Sequence, residues 1–120
     1  MSDPVSEMGD CIFCKINSGE IPGDFLHRDE VCFVIRDIAP AAPTHLLVIP
    51  NEHLTHLDGL DAERTGMVGH LVFVAQQMAR AEGIADSGYR VVINQRGDGG
   101  QDIDHLHLHV LGGQKLGRMG

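Results

Sequence analysis

The stretch Asp102–Gly113 reads DIDHLHLHVLGG, with His105, His107 and His109 two residues apart and Leu106, Leu108 and Val110 between them. Imidazole changes charge near neutral pH and can serve as nucleophile, acid, base or metal ligand. Alternate side chains of a strand share a face, so a strand here turns the three histidines one way and the aliphatic residues the other. Same-face neighbours stand roughly 6.6 Å apart along a strand. Adjacent imidazoles can therefore address one small ligand, while the outer two are too distant to share a proton. A solvated polar face accounts for a lone HxH; three in register beside a glycine-rich loop point to chemistry. HxH is also a common pair of zinc or iron ligands. The preceding loop, QRGDGGQDID, carries Gly97, Gly99 and Gly100, whose backbone N–H groups can approach an anion, although tight turns use glycine as well. A nucleophilic imidazole beside an anion-binding loop suggests phosphoryl or nucleotidyl transfer. A second constellation is the CxxC pair of Cys11 and Cys14, two of three cysteines. In a reducing compartment such a pair signals metal or redox chemistry more often than a structural bridge.

These residues need elements to hold them. CIFCKINSGEIPGD opens with a short amphipathic piece and then breaks at Gly19, Pro22 and Gly23. FLHRD and VCFVIRDI read as two strands joined across Asp29 and Glu30, and a third runs from about His45 to Ile49, stopped by Pro50. The long helix is expected from Asp61, a capping residue, to Glu82, with Gly83 just beyond its end. Along it Val68, Leu71, Val72, Ala75, Met78 and Ala79 keep helical spacing, and Met67, Val74 and Ala81 widen the stripe beyond one core face. A helix so broadly apolar in a small chain suits packing on a partner, here a second copy. Two further strands, Tyr89–Asn94 and His105–Leu111, complete the order β-β-β-α-β-β. The expected class is α+β: a five-stranded, mainly antiparallel sheet with one long helix and a short N-terminal helix. The polar, acidic residues 1–10 are expected to form a flexible tail and residues 11–120 one domain.

Composition narrows the function. The chain has 120 residues, 42% of them hydrophobic, and a formal net charge of −8. Long nucleic acid, held through its phosphates by clustered cations, is a poor partner for such a surface. One small anion is not. There is no apolar run long enough to span a membrane and no signal-like N-terminus, so a cytoplasmic location is expected.

HLHLHVLGG, Asn94 with GDGGQ following, APTHLLVIP, and RDIAP after CIFCKI together resemble the histidine triad (HIT) superfamily, most closely its Hint branch of purine nucleoside phosphoramidate hydrolases. The resemblance runs in order from about Cys11 to Gly113. It implies a homodimer whose two five-stranded sheets join into one, with the long helix in the interface. It also implies hydrolysis of P–N or acyl-phosphate bonds at the α-phosphate of purine, AMP-like nucleotides. His107 matches the nucleophile that forms a nucleotidyl-histidine intermediate. His109 and His45 match pocket histidines that donate to phosphate oxygens and orient the triad, completed by His105. Asn94, Gly100, Gln101 and Ile103 match phosphate and leaving-group contacts, and Asp37 the carboxylate that accepts the ribose hydroxyls. Ile12, Phe13, Ile21, Ile35, Ile38 and Leu47 match the apolar slot around the base. In many bacterial-type relatives, cysteines at the positions of Cys11 and Cys14 bind structural zinc with histidines that correspond to His53 and His105. Catalysis itself needs no metal. Cys32 is expected in the core, and His27, His56 and His70 on the surface or a helix face.

Three departures stand out. Asp102 occupies a position where the Hint branch usually has a small hydroxyl residue. A carboxylate about 4 Å from an anionic phosphate is repelled by up to roughly 4 kcal/mol at an effective dielectric of 20. Asp102 should therefore turn away, act as a protonated acid, or pair with a cationic leaving amine. Asp104, beside His105, is placed to orient that imidazole. The tail GGQKLGRMG lacks the aromatic residue many relatives carry. The rival readings are a dinucleoside polyphosphate hydrolase or nucleotidyl transferase, a metal-dependent enzyme with HxH ligands, and a non-catalytic nucleotide-binding adaptor.

Overall fold

The computed structural model describes residues 10–119; apart from Asp10, the expected N-terminal tail lies outside them. Asp10 and Cys11 precede α1 (Ile12–Ser18), followed by β1 (His27–Arg28), β2 (Cys32–Arg36) and β3 (Thr44–Pro50). The long helix α2 (Thr65–Ala81), then β4 (Tyr89–Val92), the single-turn helix α3 (Arg96–Gly99) and β5 (Leu108–Gly112) complete it. The five strands form one sheet in the order β1-β2-β3-β5-β4 with every pairing antiparallel. The α+β class and the five-stranded sheet are as the sequence predicts.

Strand alternation splits the interior into two layers. Cys32, Val34, Leu46, Val48, Leu108 and Val110 point to one face and meet Leu71, Val74, Ala75 and Ala79 of α2. Burying each of the larger aliphatic side chains there contributes about 1.5–3 kcal/mol. Phe33, Leu47 and Ile49 point to the other face and pack with Cys11 and Phe13 at the start of α1. His45 and His109 lie on this second face by the same alternation, so the chemistry sits opposite α2.

The helix starts later than expected. Asp61 does cap, accepting from the N–H groups of Glu63 and Arg64, but the turn it caps is the 3-10 segment Ala62–Arg64 that leads into α2. Val74 belongs to the core, whereas Val72 and Phe73 are half exposed, at 49% and 51%. The outward apolar face is thus real but centred one residue from the predicted stripe, and Phe73 is its largest member.

The triad segment departs most from expectation. Predicted as a strand from His105 to Leu111, it enters the ladder only at Leu108, so His105 and His107 precede β5. Gln101 and Ile103 fold the incoming chain into a bend, and the backbone N–H of Leu106 donates to Leu54 instead of to a sheet neighbour. Freed from regular strand spacing, the rings of His107 and His109 approach to 4.9 Å between centroids.

Candidate active site

Each triad histidine has one ring nitrogen committed, which fixes the role of the other. His107 is buried, and its Nδ1–H donates to the carbonyl of His105 at 2.7 Å. Nε2 then carries the lone pair. His45 Nδ1 accepts from the Ala41 N–H at 3.0 Å, so its proton resides on Nε2, which donates to His109 Nδ1 at 2.8 Å. That leaves His109 Nε2 as an N–H donor. Asn94 Nδ2 lies 3.4 Å from it, and turning that amide over presents its oxygen as the acceptor. His105 Nε2–H donates to the carbonyl of Pro50 at 2.8 Å, turning Nδ1 toward the cysteines. Backbone carbonyls and one N–H thus leave a lone pair on His107 Nε2, an N–H on His109 Nε2 and a lone pair on His105 Nδ1. Asp104, expected to orient His105, is exposed; Pro50 does this instead.

Burial, with the neighbouring charges of His107 and His45, pushes His109 down to about 4. Burial also pushes His105 down to about 4, against the opposing bond to Pro50. Both are neutral at pH 7. In the metal-free protein an unfolded chain takes up protons at these sites below about 6.5, while the folded chain resists until about 4. Stability therefore falls as pH falls through that window, by on the order of 3 kcal/mol for His105 alone. Urea titrations with chelator at pH 7.5, 5.5 and 4.5 check this through their midpoints.

A cavity of about 310 Å³ opens on His107 and His109, lined by Ile12, Phe13, Ile35, Ile38, Leu47, Ile103, Asp37 and Asp102, with Ile16, Arg36 and Ala39. Ile38 borders it with a side chain 99% exposed, and Ile21 is not part of the lining. Ile16 was missed by the sequence analysis, though it follows Ile12 by one helical turn. Phe13 stands edge-on to His107 at 5.2 Å and to His105 at 5.6 Å, bridging slot and triad. The Asp37 carboxylate accepts from Ala39 N–H through Oδ1, while Oδ2 lies 3.5 Å from His45 Nε2.

The glycine loop acts differently from a phosphate cradle. The N–H groups of Gly99, Gly100 and Gln101 are spent on carbonyls of Gln95, Gly97 and Arg96, closing α3, and Gly100 caps it at φ 79°. Gln101, matched to ligand contact, is fully engaged inside the protein. Its Oε1 accepts from Arg96 N–H and His56 Nδ1–H, and its Nε2 donates to Thr55 and Ile103 carbonyls. It braces the loop that delivers Ile103 to the cavity, and His56, expected on the surface or a helix face, is half-buried and part of that brace. Arg96 is held in the left-handed region at φ 56° by the same network.

A larger cavity of about 440 Å³ shares Ile12, Asp102 and Ile103 with the first and adds Asp10, Asp104, Cys11, His53 and Thr55. Asp102 sits on the rim between them, 75% exposed, with Oδ1 3.7 Å from His107 Nε2.

Cys11, Cys14, His53 and His105 converge behind the triad, with donor atoms within 4.8 Å of one another. Cys11 caps α1 and Cys14 lies in its first turn, which places both sulfurs on one side. Cys11 Sγ is 3.2 Å from His105 Nδ1, and Cys14 Sγ is 3.3 Å from His53 Nδ1 and 3.7 Å from His105 Nδ1. These separations approach the edges of a tetrahedral zinc site, and Cys₂His₂ is a closed structural donor set. Burial and the neighbouring Cys11 push the Cys14 thiol up to about 12. The residues fit zinc.

The fold and the paired, tautomer-locked imidazoles define a histidine triad domain. Residues 18–116 match the HIT domain family, and the chain belongs to it. It is 44% identical to the purine nucleoside phosphoramidase of Escherichia coli K12 over 108 residues, 90% of this chain and 91% of that protein. A histidine triad protein from Clostridium difficile superposes with a TM-score of 0.88 at 37% identity, covering 100% of both chains. A zinc-bound histidine triad family protein from Mycobacterium smegmatis does so with a TM-score of 0.78 at 34% identity, over 92% of this chain and 81% of that one.

Proposed function

We propose that this protein is a homodimeric hydrolase of purine nucleoside phosphoramidates, acting at the α-phosphate of AMP-like nucleotides. The observation that carries the reading is the free Nε2 of His107, fixed by the bond from Nδ1–H to the His105 carbonyl and opening onto an apolar cavity. The base fills the slot between Phe13, Ile35 and Leu47, and Asp37 accepts the ribose hydroxyls. His107 Nε2 attacks phosphorus; the N–P bond forms as the bond to the leaving amine breaks, and the amine takes its proton from water. His109 donates Nε2–H to a phosphate oxygen as charge builds there. Water then cleaves the phosphohistidine, releasing the nucleotide and restoring His107. The 44% identity to a purine nucleoside phosphoramidase supports this choice of substrate. Cys11, Cys14, His53 and His105 would hold a structural zinc apart from these steps, tying α1 to the segment that carries His107. The outward face of α2, with Val72 and Phe73, supports dimer formation. Among the described residues no helix is long and apolar enough to cross a membrane, and a cytoplasmic location suits cysteines that must stay reduced to bind metal.

Turnover of an adenosine phosphoramidate to AMP, with dimers by sedimentation, tests the reading; AMP binding without turnover would leave an adaptor. Asp102 faces the leaving-group side, where its exposed carboxylate can pair with an ammonium. Asp102→Ser is expected to lower kcat/KM for lysine-like amines about tenfold relative to neutral amines, a coupling of about 1.4 kcal/mol. An unchanged ratio removes Asp102 from specificity.

A further inference from the structure

A second cluster of histidine, carboxylate and thiol side chains lies on the opposite face of the sheet, on the side of α2. Asp29 sits in the turn between β1 and β2, where Oδ1 accepts from the N–H groups of Val31 at 2.7 Å and Cys32 at 2.9 Å. Its other oxygen, Oδ2, has no backbone partner. His27 Nε2 from β1 reaches that oxygen at 2.6 Å, and His70 Nε2 from α2 reaches it at 2.8 Å. Cys32 Sγ stands 3.8 Å away. The donor atoms of His27, Asp29 and Cys32 fall within 4.8 Å of one another. His27 and His70, expected on the surface or a helix face, are partly exposed, with His70 on α2; three separate elements aim donors at one carboxylate oxygen.

The donor chemistry is that of a borderline divalent ion. Burial alone would raise the Asp29 carboxyl, but the bonds from His27, His70 and the backbone outweigh it and hold it well below the usual carboxylate range. The group is an anion ready to coordinate. Two imidazoles and one carboxylate form an N₂O set suited to Zn²⁺ and its first-row neighbours. With ligand bonds near 2.0–2.2 Å, the groups need open by only about 0.5 Å from their present hydrogen-bonded spacing. Side-chain exposures of 27% for His27 and Asp29 and 37% for His70 leave room for that movement and for water to complete the coordination. Burial and the Asp29 charge push the Cys32 thiol up to about 12, so it stays a neutral neighbour.

We propose that His27, Asp29 and His70 form a second divalent transition-metal site, distinct from the Cys₂His₂ cluster, that staples α2 to the β1–β2 hairpin. On binding, each imidazole presents the lone pair of Nε2, with a proton on Nδ1, and the ion takes the place of the two N–H···O bonds. The site is independent of the nucleotide reading, because Asp29 and the triad lie on different faces.

The test is equilibrium dialysis of the full chain against Zn²⁺ followed by elemental analysis, with thermal unfolding measured alongside. Wild type is expected to take up about two zinc ions per chain, His27→Gln and His70→Gln about one, and Cys14→Ser about one. Zinc added beyond the first equivalent raises the Tm of wild type but not of His70→Gln. Wild type saturating at one ion that disappears in Cys14→Ser would overturn the proposal. So would a second ion that persists in both histidine variants. Histidine variants that lose Tm without any change in zinc content would show a purely hydrogen-bonded brace, and that also overturns it.

Discussion

Replacing His107 by alanine is expected to abolish phosphoramidate hydrolysis, with kcat down on the order of 10⁴-fold or more, while AMP still binds. Removing a covalent nucleophile costs this much because no other group can form the intermediate, so only positioning and oxyanion donors remain. Binding survives because most of the slot is built from other residues: Phe13, Ile35, Leu47 and Asp37 line the cavity beside His107 and stay in place when its ring is removed. Residual turnover of His107→Ala within tenfold of wild type would point to direct attack by water. His45→Phe sharpens the same point. It removes the Nε2–H that holds His109 in its donor tautomer, so kcat should fall about 10²-fold with little change in KM.

The second large effect concerns zinc. Cys14→Ser, or exhaustive chelation, is expected to lower the Tm by more than about 10 °C. Structural zinc contributes folding free energy directly, about 10–16 kcal/mol in small zinc-finger peptides. Here a hydrophobic core already supports the domain, so only part of that is needed to shift Tm so far at a few degrees per kcal/mol. The loss is transmitted to chemistry, since His105 is at once a cluster member and the owner of the carbonyl that orients His107. Loss of zinc should therefore cut kcat even below the lowered Tm. Calorimetry of the zinc-loaded and chelated protein decides: coincident transitions would mean that the cluster holds no stabilising metal.

The elements around the site were legible where one local rule governed them. β3 could be placed because Pro50 ends an apolar run, and the core stripe of α2 because Leu71, Ala75, Met78 and Ala79 keep helical spacing. The shared face of His45 and His109 follows from alternation once β3 and β5 pair, Leu47 opposite His109. The entry of the triad into the sheet was not legible. Alternation in HLHLHVL continues straight through residues 105–107, yet the brace from Gln101 and the bond from Leu106 to Leu54 keep them out of the ladder. Nor could sequence reveal the backbone partners, Pro50, Ala41 and His105, since a carbonyl or N–H carries no side-chain signature. Gln101 misled for a related reason: a polar residue in a glycine loop looks available to ligand, and only tertiary structure shows all its bonds taken. His27 and His70 were unremarkable in the sequence because forty-odd residues separate them and Asp29 joins them only in the fold.

The most direct test of the central claim is intact-mass analysis of the wild type and His107→Ala, quenched within milliseconds of mixing with an adenosine phosphoramidate. The account predicts a transient species heavier than the wild-type chain by one adenylyl group, mapped by peptide analysis to His107 and absent from the variant. Full turnover with no such adduct, or an adduct on His105 or His109 instead, would contradict it.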